Sequence, residues 1–190
     1  GIEIGGRNLL YHSRFDNKYD DYWIYSTSVT YLFNDGYTTM TKSETTTREF
    51  TNQVSTKNLN LLPENGCGYT ISCEIMKVEG LNVGNRTNVT VRYHYTDGTL
   101  KDFGVNIPSD ITEDTWSKCS YKFTYYSDKT LARTTFMIAL GTEACGIKIK
   151  NVKFEKGDKP TDWTPAPEDD ERRITSLEAR VAALEAAALS

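Results

Sequence analysis

Two pairs of polar residues, Ser72 with Glu74 and Arg92 with His94, sit at i, i+2 spacing. On an extended chain that spacing puts both members of a pair on one face, about 6–7 Å apart. A carboxylate, a guanidinium and an imidazole held at such separations supply the donors and acceptors that sugar hydroxyls require. A neighbouring aromatic ring would complete the set by covering the apolar face of a pyranose. The chain has 12 Tyr, 7 Phe and 3 Trp. Tyr22, Trp23, Tyr25, Tyr31, Tyr37 and Tyr126 are candidate rings, and Tyr37 or Tyr126 is the expected stacking platform. Glu74, Arg92 and His94 are expected to share one outer sheet face with them. Trp23, Trp116 and Trp163 are read as core or seam residues. The plainer reading of the polar pairs is a solvated sheet face with internal ion pairing.

Catalytic patterns are missing. The sequence has no GxSxG, HExxH or phosphate-binding glycine loop, and neither His12 nor His94 stands in a nucleophile or metal spacing. Asp16, Asp20, Asp21, Glu44, Glu49, Glu74, Asp97, Asp102 and Glu113 could be paired in many ways as glycosidase acids, so no pair is singled out. The expectation is a non-enzyme with no cofactor and no metal. Cys67, Cys73, Cys119 and Cys145 have no CxxC spacing. Cys73 and Cys119 fall within strand patterns and read as small buried hydrophobes with free thiols. The net charge of -4 argues against a nucleic-acid partner, and no apolar run approaches the ~18 residues of a membrane span. Residues 1–6 lack the basic and apolar regions of a secretion signal.

The elements that must position these residues are strands. Tyr69, Ile71, Cys73 and Ile75 alternate with Thr70, Ser72 and Glu74; Val89, Val91, Tyr93 and Tyr95 alternate with Thr90, Arg92 and His94. The same period of two runs through Tyr121–Tyr125, Thr135–Leu140 and Ile147–Ile149, the signature of strands with one buried face. Asn34-Asp-Gly36, Asn65-Gly66, Thr96-Asp-Gly98 and Lys156-Gly-Asp158 supply turns. About eight strands with no intervening helical pattern predict an all-β jelly-roll sandwich over residues 1–163.

Beyond Trp163 the composition changes. Residues 164–170, rich in proline and acid, read as a stiff linker, and 171–190 as a helix. Ile174, Leu177, Val181 and Leu184 follow a three-four-three spacing, the a/d seam of a coiled coil. On that register Arg173 and Arg180 are g positions and Glu178 and Glu185 are e positions, so a parallel partner would meet opposite charges. The seam covers only about two heptads, too short to hold together unaided, and reads as the beginning of a longer stalk.

Gly6-Arg-Asn-Leu-Leu10, Asp21-Tyr-Trp23, Asn151-Val-Lys-Phe-Glu-Lys-Gly157 and Thr161-Asp-Trp-Thr-Pro-Ala-Pro-Glu-Asp-Asp170 form a frame around the whole sandwich. The frame resembles the jelly-roll carbohydrate-binding modules of tail, baseplate and receptor-binding proteins of siphophages that infect Gram-positive bacteria. Those modules are similar in fold to the ones attached to cellulases and xylanases. The resemblance implies a virion tail component that binds host cell-surface glycan and aids adsorption. It implies other tail proteins as partners and a homotrimer through the C-terminal helix, although Ile174 and Val181 at a with Leu177 and Leu184 at d would suit a dimer at least as well. A strand at Asn8–Leu10 would pair with Ile149–Glu155, and Trp163 would cap that edge. The resemblance also leaves room for a structural calcium: related modules often hold one near the first strand and the last, and Asp16 lies in roughly that region, although no acidic loop with a calcium-ligand pattern is present. A ligand-free spacer domain and a tail-associated hydrolase are the alternative functions.

Overall fold

A computed structural model describes residues 6–47 and 51–189. Ten strands precede one helix: β1 Trp23–Tyr25, β2 Thr30–Asn34, β3 Tyr37–Lys42, β4 Gln53–Thr56, β5 Gly68–Lys77, β6 Asn88–Tyr95, β7 Leu100–Asn106, β8 Ser117–Thr124, β9 Leu131–Ala139, β10 Cys145–Lys156 and α1 Pro167–Ala188. The strands form two antiparallel five-stranded sheets. Sheet A has the order β1-β4-β9-β6-β7, and sheet B the order β2-β3-β10-β5-β8. This is the expected jelly-roll sandwich, with more strands than the expected eight. The extra ones are short or sit at an edge. In β7 the apolar alternation is weak because most of the strand is exposed or half-buried.

Alternation builds the core. Ile71 and Ile75 from β5, Val89, Val91 and Tyr93 from β6, Phe136 and Ile138 from β9, and Ile147, Ile149 and Phe154 from β10 all lie between the sheets. Each fully buried side chain of this kind is worth about 1.5–3 kcal/mol of transfer free energy. Rings close both open sides. Phe103 on β7 stacks on Phe123 on β8 at 4.2 Å, and Tyr25 on β1 meets Tyr31 on β2 edge-on at 5.0 Å. The Asn34-Asp-Gly36 signal makes the β2–β3 hairpin, with Asn34 opposite Tyr37 and Gly36 at φ +83°, a conformation glycine adopts without strain.

The N-terminal segment differs from expectation. Residues 7–10 form no strand; one backbone bond, Leu9 N to Phe154 O at 2.7 Å, joins them to β10. The Asn8 side chain replaces a ladder. Wholly buried, it donates to Ser13 Oγ (2.7 Å), Val152 O (3.2 Å) and Thr164 O (3.1 Å), and its Oδ1 accepts from Leu10 N (3.1 Å) and Phe154 N (3.3 Å). The strand β10 bulges beside it. The register shifts between Lys150 and Lys153, and Asn151 takes φ +51°. The freed amides of Asn151 and Val152 donate to Arg14 O (3.3 Å) and Ser13 O (2.9 Å), as a bulge requires when its extra residue leaves the ladder.

Beyond the bulge, Lys153 and Glu155 point outward from sheet B, yet each side chain is only 1% exposed. Residues 158–163 lie over them. Lys153 Nζ donates to Thr161 Oγ1 (2.6 Å) and Asp162 O (2.8 Å), and Glu155 accepts from Thr161 N (2.9 Å) and Oγ1 (2.7 Å). Trp163 Nε1 reaches Ser13 Oγ at 3.2 Å. The helix then starts at Pro167, inside the stretch expected to be linker, with Glu168, Asp169 and Asp170 in its first turn. Its root is fixed to the sandwich. Arg7 pairs with Glu168, His12 N donates to Asp169 Oδ2 (2.9 Å), His12 stacks on Tyr19 at 3.9 Å, and Arg172 lies 5.1 Å from the Tyr11 ring centre.

Candidate functional site

The topology separates residues that the sequence reading had grouped. Arg92 and His94 stand on β6 in sheet A, whereas Glu74 stands on β5 in sheet B. Residues 78–87 carry the chain from one sheet to the other, so the outer faces of β5 and β6 lie on opposite sides of the molecule. An outer face shared by Glu74, Arg92 and His94 is therefore ruled out.

On sheet A the polar side chains satisfy one another. Arg92 Nε and Nη2 donate to the two oxygens of Asp102, directly opposite on β7, both at 2.7 Å. Asp102 raises the Arg92 pKa through that hydrogen-bonded pair. His94 Nε2 lies 3.0 Å from Thr135 Oγ1. Burial, then the nearby Arg133 and Arg92 charges, lower the His94 pKa below its ordinary value, so its ring is largely neutral at pH 7. This face matches the solvated, internally paired reading.

Sheet B carries a different surface. Tyr37, Thr39 and Thr41 alternate with buried Thr38, Met40 and Lys42 on β3, and so face outward. Lys150 of β10 is opposite Glu74 of β5, which is opposite Lys118 of β8. Asn151 Nδ2 donates to Glu74 Oε2 at 2.5 Å. Trp116, just before β8, is half-buried rather than core. Lys150 Nζ lies 4.1 Å from its ring centre, and Tyr37 meets the same ring edge-on at 5.6 Å. On the other side of Glu74 and Asn151, a hollow of about 130 Å³ is walled by Ser72, Ser120, Asp162 and Trp163. The result is a strip with Tyr37 and Trp116 at one end, Trp163 at the other, and amide, carboxylate, ammonium and hydroxyl groups between. Aromatic faces flanking fixed polar groups are what a sugar chain needs. Trp23, by contrast, is core, at 1% exposed. Sequence reasoning missed Trp116 because a lone tryptophan before a strand carries no periodic signal of its face.

Tyr126 is 63% exposed in the β8–β9 connection. Its carbonyl accepts from Lys101 Nζ (2.8 Å) and its ring lies near Gly66, outside the strip. Asp16 pairs with Arg14 Nε at 3.1 Å. Among the described residues no group of three or more His, Cys, Asp or Glu could hold a metal ion. Of the candidate acids, Asp20 pairs with Lys18 and Glu113 with Lys77; Glu49 lies outside the described residues. The four cysteines are free thiols, and Cys73 and Cys119 are buried opposite each other on β5 and β8. On α1, Ile174, Leu177, Val181 and Leu184 are 48–69% exposed, and Arg173, Glu178, Arg180 and Glu185 are exposed with them.

No family model matches the sequence, and no curated protein does. Solved structures do. The CBM22-1 xylan-binding domain of Paenibacillus barcinonensis Xyn10C superposes with a TM-score of 0.54 at 17% identity, over 84% of this chain and 100% of that one. The enzymatically active domain of tailspike protein 4 of bacteriophage CBA120 gives 0.54 at 15%, over 79% of this chain and 21% of that one. The CBM22-1–GH10 modules of Clostridium thermocellum endo-1,4-beta-D-xylanase 10B, complexed with xylohexaose, give 0.53 at 13%, over 82% and 30%. The chain thus has the fold of carbohydrate-binding modules, a fold also found in part of a phage tailspike.

Proposed function

We propose that this chain is a non-catalytic glycan-binding module of a phage tail protein, which aids adsorption by holding host cell-surface polysaccharide. The observation that carries the reading is the strip on sheet B, where Tyr37 and Trp116 and then Trp163 flank Lys150, Glu74 and Asn151. The shared fold with a xylan-binding domain supports it, and likeness to a phage tailspike domain supports a place in the virion tail beside other tail proteins. Trp116→Ala is expected to weaken binding to wall polysaccharide about five- to thirtyfold, since a stacked ring contributes on the order of 1–2 kcal/mol, with little change in melting temperature. Titration calorimetry against wall polysaccharides from Gram-positive hosts reads the effect. Unchanged affinity in both Trp116→Ala and Tyr37→Ala would remove the strip as the site.

The module is carried as a homotrimer through α1. Exposed Ile174, Leu177, Val181 and Leu184 form one stripe, and Arg173 and Arg180 would meet Glu178 and Glu185 of a parallel neighbour. Gathering three weak sites would raise the avidity for a repetitive polymer. Because two heptads associate weakly, light scattering is expected to show the 21.5 kDa chain moving toward three times that mass only as its concentration rises into the high micromolar range. The double variant Leu177→Asp, Leu184→Asp is expected to be a folded monomer. A wild-type chain that stays monomeric throughout would show that these two heptads are not a self-sufficient oligomerisation element.

A further inference from the structure

The outer face of sheet B is positively charged on a chain whose net charge is -4. Its outward positions hold Lys148 and Lys150 on β10, both half-buried, and Lys118 and Lys122 on β8, both exposed. Glu74 on β5 is the one carboxylate at an outward position that residues 158–163 leave uncovered. Lysines on β8 have an ordinary explanation. That strand is a sheet edge, and charge there keeps the edge from pairing with another chain. β10 is the central strand of the five, so Lys148 and Lys150 guard no edge.

Cross-strand pairing does not cancel these two charges. On sheet A, Arg92 meets Asp102 directly opposite. On sheet B, Lys148 stands opposite Thr39 on one side and Met76 on the other, and neither can carry a charge. Lys150 stands opposite Glu74, but the bulge brings the Asn151 amide onto Glu74 Oε2 at 2.5 Å. The Lys150 ammonium sits over Trp116 instead, 4.1 Å from the ring centre. Lys118 meets Asp162 at 3.8 Å, with both side chains largely in solvent, where an ion pair contributes little.

We infer that the strip takes an acidic glycan, one whose repeating unit carries a carboxylate or a phosphodiester, with Lys148 and Lys150 meeting that anion beside Trp116. The inference rests on the glycan-binding reading and names a charge class for its ligand. Lys148 and Lys150 are about 6–7 Å apart along β10, and Lys118 is about 10 Å from Lys150 across β5, so a polymer with repeated anions can meet more than one ammonium at once. A neutral sugar stacking on the covered face of Trp116 would displace Lys150 and forfeit its cation–π contact. An acidic sugar replaces that contact with an ion pair. Glu74 and Asn151 remain for the hydroxyls.

The test is titration calorimetry of the full chain against wall polysaccharides of Gram-positive hosts, at about 0.05 and 0.5 M sodium chloride. The fraction that binds is titrated again after its carboxylates have been reduced to alcohols, and separately after hydrofluoric acid has removed its phosphodiesters. Affinity is expected to fall with salt, and one of the two treatments is expected to lower it about tenfold, which tells the carboxylate from the phosphodiester. Lys148→Gln and Lys150→Gln are each expected to weaken binding about two- to fivefold with no change in melting temperature. Lys57→Gln, which removes the same charge just after β4 of sheet A, is expected to leave binding unchanged. Equal losses in all three variants would mean that net charge alone acts, and would overturn the site. Binding that Trp116→Ala weakens but neither treatment changes would overturn the acidic ligand and leave the strip as a site for a neutral glycan. A chain that binds no wall fraction would remove the glycan-binding reading and this inference with it.

Discussion

Replacing Asn8 with alanine is expected to destabilise the sandwich by about 3–5 kcal/mol, a large part of the ~5–15 kcal/mol that holds a domain together. Five hydrogen bonds end on this one buried amide, and they join three segments: the N-terminal stretch, β10 at its bulge, and Thr164 on the way to the helix. Alanine would leave Leu10 N, Phe154 N, Val152 O and Thr164 O without their partner, and unpaired buried groups carry a desolvation penalty well above the ~1 kcal/mol of an ordinary net hydrogen bond. Asn8→Asp is expected to be nearly as damaging, because a carboxylate cannot donate to the Val152 and Thr164 carbonyls. For a chain of this size the loss corresponds to roughly 10–15 °C in melting temperature. Calorimetry and urea unfolding of both variants check it; a drop below ~1 kcal/mol would mean that water takes over the amide's partners.

The second large effect concerns the ion pair that residues 158–163 cover. Lys153→Met alone is expected to cost about 3–5 kcal/mol, because Glu155 would be left at 1% exposure without its ion-pair partner. Glu155→Leu alone is expected to cost a similar amount. In the double variant the two losses should not add. A coupling of about 2 kcal/mol or more in a double-mutant cycle is the expected signature, and additive losses would show that the two side chains act independently. The consequence reaches the candidate site. Thr161 and Asp162 are held by Lys153 and Glu155, and Asp162 and Trp163 wall the hollow beside Glu74 and Asn151. The single variants should therefore also weaken glycan binding at temperatures where the sandwich is still folded.

The sequence is most legible where period two runs long. Val89, Val91 and Tyr93 were assignable to the core from alternation alone, and the Asn-Asp-Gly and Thr-Asp-Gly signals were assignable to hairpins. Alternation fixes which way a side chain points relative to its own sheet, but says nothing about which sheet the strand joins. That is why Glu74 could be read beside Arg92: the ten residues between β5 and β6 would serve a long hairpin as well as a crossover. Lys153 and Glu155 were read as part of a motif but not as buried charges, because their cover arrives from residues 158–163 and leaves no local pattern. The strand expected at Asn8 is absent for the same reason. The partners of Asn8 are 144 and 156 residues away in the chain. Tyr37 is a candidate ring by type alone; Trp116, whose ring it meets, lies across two intervening strands, a neighbourhood that only the folded sheet creates.

The closeness of residues 6–9 to residues 161–169 has a mechanical meaning. Arg7 pairs with Glu168, Leu9 bonds to Phe154, and Asn8 reaches Thr164, so chain entry and chain exit are neighbours at one end of the sandwich. Tension applied between those two ends runs across a small patch of contacts, while the ten paired strands hang to one side of the line of force and bear little of it. A pull along the helix axis would instead be handed through His12 and Asp169 to the loop beside the β10 bulge. The root of α1 is thus a lever mount: it fixes the angle between the helix axis and the outer face of sheet B, and a load on a glycan held there would become torque on the helix rather than stretching of the sheets.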